Sequence, residues 1–111
     1  MAMDKAPSSA LRGVVVDDEL ELTVIELCRV CGTSPDEVGA WVVEGVVQPR
    51  GNSPAEWRFT GAALRRVRVA SRLSRDLEIS ASGVALVVDL LDRIAALEAR
   101  LQREGVLPPR A

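Results

Sequence analysis

Two stretches of the chain carry residue types that do chemistry. Cys28 and Cys31 make a Cys-x-x-Cys, the spacing of a redox pair or of half a zinc site. Residues 34–47, SPDEVGAWVVEGVV, open and close like the second helix of a helix-turn-helix, the helix that usually carries the groups that read DNA. That helix holds Asp36, Glu37 and Glu44, with no Arg or Lys. The chain has no His and no third Cys, so one copy cannot complete a Cys/His zinc site. A thioredoxin-like pair would open a helix after a strand, whereas this pair falls near a predicted helix end. The two cysteines are therefore read as small apolar helix residues, and neither metal nor cofactor is expected. Catalysis finds no other foothold. There is no Gly-rich phosphate loop, both Ser-Pro steps read as caps or turns, and the carboxylates sit on exposed helix positions that do little to perturb a pKa. The chain is not expected to be an enzyme.

The elements that must position these residues follow from composition and periodicity. A length of 111 residues suits one small domain plus one extra element. Hydrophobic residues at 48% are too many for a disordered chain, and with only 3% aromatics the core must be built from Val, Leu, Ile and Ala. Fourteen basic against sixteen acidic residues give a net charge of −2, less basic than a general nucleic-acid binder. No apolar run approaches the roughly 20 residues of a membrane span. The N-terminus lacks a signal-peptide h-region, so a cytoplasmic protein is expected.

Residues 1–19 read as a flexible tail, with one or two short strands in VVVDDELELTV. Thr23 and Glu26 have capping-box spacing for helix 1, which Gly32 stops. Ser34 as N-cap, Pro35 at N1 and Glu37 at N3 start helix 2, and Val38, Trp41 and Val42 form its core stripe. Asp36 and Glu37 thus suit the helix dipole as well as a partner, whereas Glu44, in the last turn, has no such local use. In VVQPRGNSPAEWRF, two β-prone runs flank a turn-rich segment, which predicts a β-hairpin wing. Trp57 and Phe59 alternate onto one face of it and Arg58 onto the other. Arg50, Trp57 and Arg58 make a candidate binding patch, because Trp and Arg are over-represented at hot spots. Thr60 caps helix 3, whose apolar face is Leu64, Val67, Ala70 and Leu73 and whose arginines mostly lie off it. They could form a solvated face, pair with acids on the same or the last helix, or serve DNA.

The last helix, restarting at Ser80 or Ser82 and running to about Glu104, spans about 25 residues or roughly 37 Å at 1.5 Å per residue. Its first half, GVALVVDLL, is apolar on nearly all sides and must be covered broadly. Its second half carries an amphipathic stripe. Leu90, Ile94, Leu97 and Leu101 are the expected dimerisation residues, in a parallel or antiparallel pair with a second copy. Residues 20–79 then form the winged domain, 80–105 the long helix and 106–111 a tail.

This order of elements resembles the MerR family of regulators over residues 20 to about 101, carried by LTVIELCRVCGTSPDEVGAWVVEGVVQPR. The fold implied is mainly α, a MerR-like winged helix-turn-helix with a long C-terminal helix. Within that superfamily the chain is similar to the CbpM family of chaperone-modulatory proteins through ELC at 26–28, GVVQPR at 45–50, EWRF at 56–59 and GVALVVDLLDRIAALEARL at 83–101. The resemblance implies that the chain binds the J-domain of a DnaJ-like co-chaperone of the CbpA type. It would block that partner's stimulation of Hsp70 and limit its DNA binding. A J-domain's second helix is basic, so Asp36, Glu37 and Glu44 suit it better than they suit phosphate. The alternative is a MerR-type DNA-binding transcriptional regulator that uses helix 2, the wing and the helix 3 arginines.

Overall fold

In a computed structural model of the chain, residues 20–109 are described. They form four helices, α1 Val24–Cys31, α2 Pro35–Val43, α3 Gly61–Leu77 and α4 Ala81–Arg103, with a 3-10 turn at Pro54–Glu56 ahead of α3. Each α-helix starts where the sequence places a hydroxyl. Thr23 accepts from the Glu26 N–H, Ser34 from Glu37, Thr60 from Ala63 and Ser80 from Gly83. The first two are complete capping boxes, since Glu26 and Glu37 reach back to the N–H groups of Thr23 and Ser34 at 2.9 and 3.2 Å. α1 ends on Gly32 at φ 67°, a left-handed conformation that costs glycine nothing, and only Gly32–Ser34 separate it from α2.

The core lies where α1 packs on α2 and α3, and where α4 packs on α2 and α3. Leu27 of α1, Val38 and Trp41 of α2, Leu64 and Val67 of α3, and Val84 and Val88 of α4 are all buried. Phe59 is the largest fully buried side chain, and it enters from the segment just before α3. Cys28 and Cys31 are buried in the same cluster. Burial pushes the Cys31 thiol up to about 11 and raises that of Cys28, with Glu37 adding to the rise at Cys28. Both therefore remain protonated, behaving as small apolar side chains rather than as nucleophiles.

One expectation is corrected. The β-hairpin wing is not built, and among the described residues there are no strands, only the isolated antiparallel bridges Arg50↔Arg58 and Leu22↔Phe59. The physical reason is competition from both ends. Thr60 is taken as the α3 cap one residue after Phe59, and Pro54–Glu56 coil into a 3-10 turn with the Glu56 N–H bonded to the Ser53 carbonyl. One rung is left, in which Arg50 and Arg58 exchange two 2.9 Å backbone bonds. Of the strands expected in residues 14–24, Leu22 makes its single bridge, and the portion up to residue 19 lies outside the described residues. The tail expected at 1–19 and the last two residues also lie outside them.

On α4 the first half is only partly covered within one chain. Val84 and Val88 are buried, but Leu86 is 60% exposed and Leu90 48%. Side chains on α3 tie the ends of the other elements together. Ser71 donates to the Cys31 carbonyl and Arg75 to that of Gly32, satisfying the terminal carbonyls of α1. Arg66 donates to the Val46 carbonyl at 2.6 Å and pairs with Asp92 of α4 at 3.1 Å. Of the roles open to the helix 3 arginines, these two fill structural ones.

Candidate partner-docking surfaces

α2 buries Val38 and Trp41, so its opposite side must face outward. That side consists of Asp36, Ala40 and Val43, spaced i, i+4, i+7, flanked by Glu37 and Glu44, also seven apart. All five are exposed, and Val43 is 83% exposed. The outward face is therefore a small apolar strip with a carboxylate at each end and no cation. Glu37 is the least available of its acids. Its carboxylate accepts from the Thr33 hydroxyl at 2.5 Å and from the Ser34 N–H at 3.2 Å. The Thr33 bond in particular holds its pKa below the usual carboxylate value of 4.5, with Ser34 and the nearby Arg75 adding to the shift. The side chains of Asp36 and Glu44 make no hydrogen bond or ion pair among the described residues. Glu44 is the C-cap residue of α2, turned to solvent beside Val43. Sequence reasoning found the acids and passed over Ala40 and Val43. The signal for them was the i, i+4, i+7 spacing from Asp36, on the side opposite the core stripe.

The wing patch is divided. Arg50 and Arg58 stand directly opposite each other in a narrow antiparallel pair, so their side chains leave on the same side. Arg50 is held by Glu21 at 2.8 Å, and Arg58 donates to the Trp57 carbonyl. Trp57 goes the other way. It is half-buried against the core, edge-on to Phe59 with ring centroids 6.1 Å apart and planes at 84°. The structure thus joins the two arginines and separates them from the tryptophan.

The third surface is α4 beyond the core. Leu90, Ile94 and Leu97 are exposed and Leu101 is half-buried. A hollow of about 450 Å³ runs beside them, lined by Leu91, Ile94, Ala95, Glu98, Ala99 and Gln102. Among the described residues no cluster of three or more His, Cys, Asp or Glu could hold a metal ion, and no helix is long and apolar enough to cross a membrane.

Residues 22–103 match the family model described as MerR HTH family regulatory protein. A chaperone modulatory protein CbpM of Coxiella burnetii is 33% identical over 92 residues, which cover 83% of this chain and 87% of that protein. The CbpM proteins of Pseudomonas putida and Pseudomonas entomophila are each 35% identical over 78 residues, 70% of this chain and 77% of theirs. These relatives are named as modulators and regulators, not as enzymes.

Proposed function

The chain belongs to the CbpM family of chaperone modulatory proteins and carries a MerR-like domain, and from that premise we propose that it modulates a chaperone by docking the outward face of α2 on a basic helix of a J-domain. The partner is a co-chaperone of the CbpA type, and the helix is the second one of its J-domain. Occupying that helix denies it to Hsp70, so stimulation of the Hsp70 ATPase falls. The observation that carries this reading is the composition of the outward face: Ala40 and Val43 offer apolar contact, Asp36 and Glu44 supply charge at either end, and no Arg or Lys is present. A basic amphipathic helix matches that pattern in both chemistry and sign.

A nucleic-acid duplex does not match it, because phosphate contacts need cations on the surface that enters the groove. The MerR family match keeps the regulator reading as a competing outcome of the test. The expected result is that the full-length chain suppresses J-domain-stimulated ATP hydrolysis by Hsp70. Val43→Asp and Glu44→Lys should each raise the concentration needed by roughly tenfold, the scale of losing one good interface contact. If both variants inhibit like the unaltered chain, α2 is not the docking face. If the chain instead binds duplex DNA with a log–log salt slope of about −4, as about five phosphate contacts would give, the regulator reading replaces this one.

A further inference from the structure

α3 is a cationic helix in an acidic chain. It carries Arg65, Arg66, Arg68, Arg72 and Arg75 against one acid, Asp76, while the whole chain has a net charge of −2. Beside its first turns a groove of about 160 Å³ opens between α3 and α4, lined by Arg65, Arg66, Val69, Val88, Leu91 and Asp92. Val88 is buried, whereas Val69 and Leu91 are 40% and 45% exposed. Asp92 is engaged by Arg66 at 3.1 Å. Two arginines and one aspartate leave this largely aliphatic lining cationic.

An occupant must therefore bring small apolar side chains and an acid. The chain itself contains such a segment. Residues 14–21, VVVDDELE, hold three valines, then Asp17, Asp18, Glu19 and Glu21, and no cation. The described end of this segment is fixed next to the start of α3. Glu21 pairs with Arg50 at 2.8 Å, and Leu22 exchanges backbone bonds of 2.9 and 2.8 Å with Phe59 in antiparallel sense. α3 begins two residues after Phe59, at Gly61, so the antiparallel register sets Leu20 level with Gly61.

Distances along the two elements then match. Back from Leu20, an extended chain covers about 7 Å to Asp18 and about 13 Å to Val16, at roughly 3.3 Å per residue. Forward from Gly61, α3 rises about 6 Å to Arg65 and about 12 Å to Val69, at roughly 1.5 Å per residue. Asp18 and Val16, two apart, fall on the same side of an extended chain. Arg65 and Val69, four apart, share one face of α3. Both runs give charge first and valine second.

We propose that residues 14–18 of this same chain seat in the α3–α4 groove, with Val16 against Val69 and Leu91 and Asp18 beside Arg65. A dry cavity of about 150 Å³ takes up a benzene-sized group, so the groove has room for a valine side chain or two. An outside anion then reaches this end of α3 only by displacing the segment. The inference does not depend on what α2 binds, and its test contains no J-domain.

The test is disulfide trapping in the full-length chain. Val16→Cys with Val69→Cys closes a disulfide within one chain on mild oxidation, roughly tenfold faster than Val16→Cys with Gln48→Cys. Gln48 is the control because it is exposed and lies across the start of α3, beside Thr60 and Ala62. A tethered segment without a preferred seat would reach both positions at comparable rates. Asp18→Lys sets like charges against Arg65 and slows the trapping roughly three- to tenfold, the effect of an exposed pair reversed in sign. Adding Arg65→Glu restores it. Cys28 and Cys31, buried with raised thiol pKa values, do not compete. Circular dichroism checks that each variant keeps its helix content. Equal rates at Val69→Cys and Gln48→Cys overturn the inference, and so does a trapping rate indifferent to Asp18→Lys. A disulfide that joins two copies, rather than closing within one, makes another molecule the occupant and overturns it too.

Discussion

The outward face of α2 and the outer face of α4 both leave apolar side chains in water, and they do so in different ways. On α2 the apolar strip is short, Ala40 and Val43, and it is bracketed by Asp36 and Glu44. On α4 it is a run of five positions from Val87 to Leu101, with both signs of charge along its edges. A self-complementary surface needs both signs, because the same patch must meet itself. A one-signed surface cannot pair with its own copy and calls for a partner of opposite sign. The two faces therefore suit different occupants, and both rest on one core.

The most damaging change is to that core. Phe59→Ala removes the largest fully buried side chain and the edge contact with Trp57, at a cost of about 3–5 kcal/mol. Urea unfolding should show that loss, and both faces should fail together. Leu97→Asp with Leu101→Asp separates them. It should abolish self-association in light scattering while the monomer still binds a J-domain; an intact dimer would remove the seam from α4. Glu44→Lys does the converse, weakening J-domain binding by about 1–1.5 kcal/mol while self-association persists. Trp57→Ala should affect stability more than binding, because the ring faces the core rather than the Arg50–Arg58 side.

The smallest effect is electrostatic and local to α2. Glu37 has its folded-state pKa lowered, first by the Thr33 hydroxyl, so its stabilisation is present above the ordinary value of 4.5 and is lost as pH falls through the lowered one. The stability difference between the unaltered chain and Glu37→Gln should be widest above about pH 4.5 and shrink in acid. A difference that grew in acid would reverse the sign of this linkage. Glu37 thus serves chiefly to cap α2, which leaves Asp36 and Glu44 as the charges that can meet a partner.

Local chemistry was legible in the sequence, and competition between neighbours was not. The hydroxyl caps Thr23, Ser34 and Thr60 and the left-handed Gly32 depend on a few adjacent residues and stand where the pattern places them, and of the two serines open for α4 it is Ser80 that caps. The wing failed because strand-forming residues around Phe59 must also yield Thr60 to α3 and Pro54–Glu56 to a turn, and alternation alone does not reveal who wins. The structural roles of Arg66 and Arg75 were hidden for a different reason. Their acceptors, the carbonyls of Val46 and Gly32, lie 20 and 43 residues away in the chain. On α2 the charges drew attention, and Val43 was missed although its spacing from Asp36 marks the same face.

The claim that α2 presents a docking face for a cationic helix is tested most directly by titrating an isolated J-domain into the full-length chain and following its backbone amides by NMR. The largest shifts should fall on Asp36, Ala40, Val43 and Glu44, with the α4 leucines and the Arg50–Arg58 rung little changed. Shifts gathered on Arg50, Arg58 and the α3 arginines, with α2 silent, would contradict it.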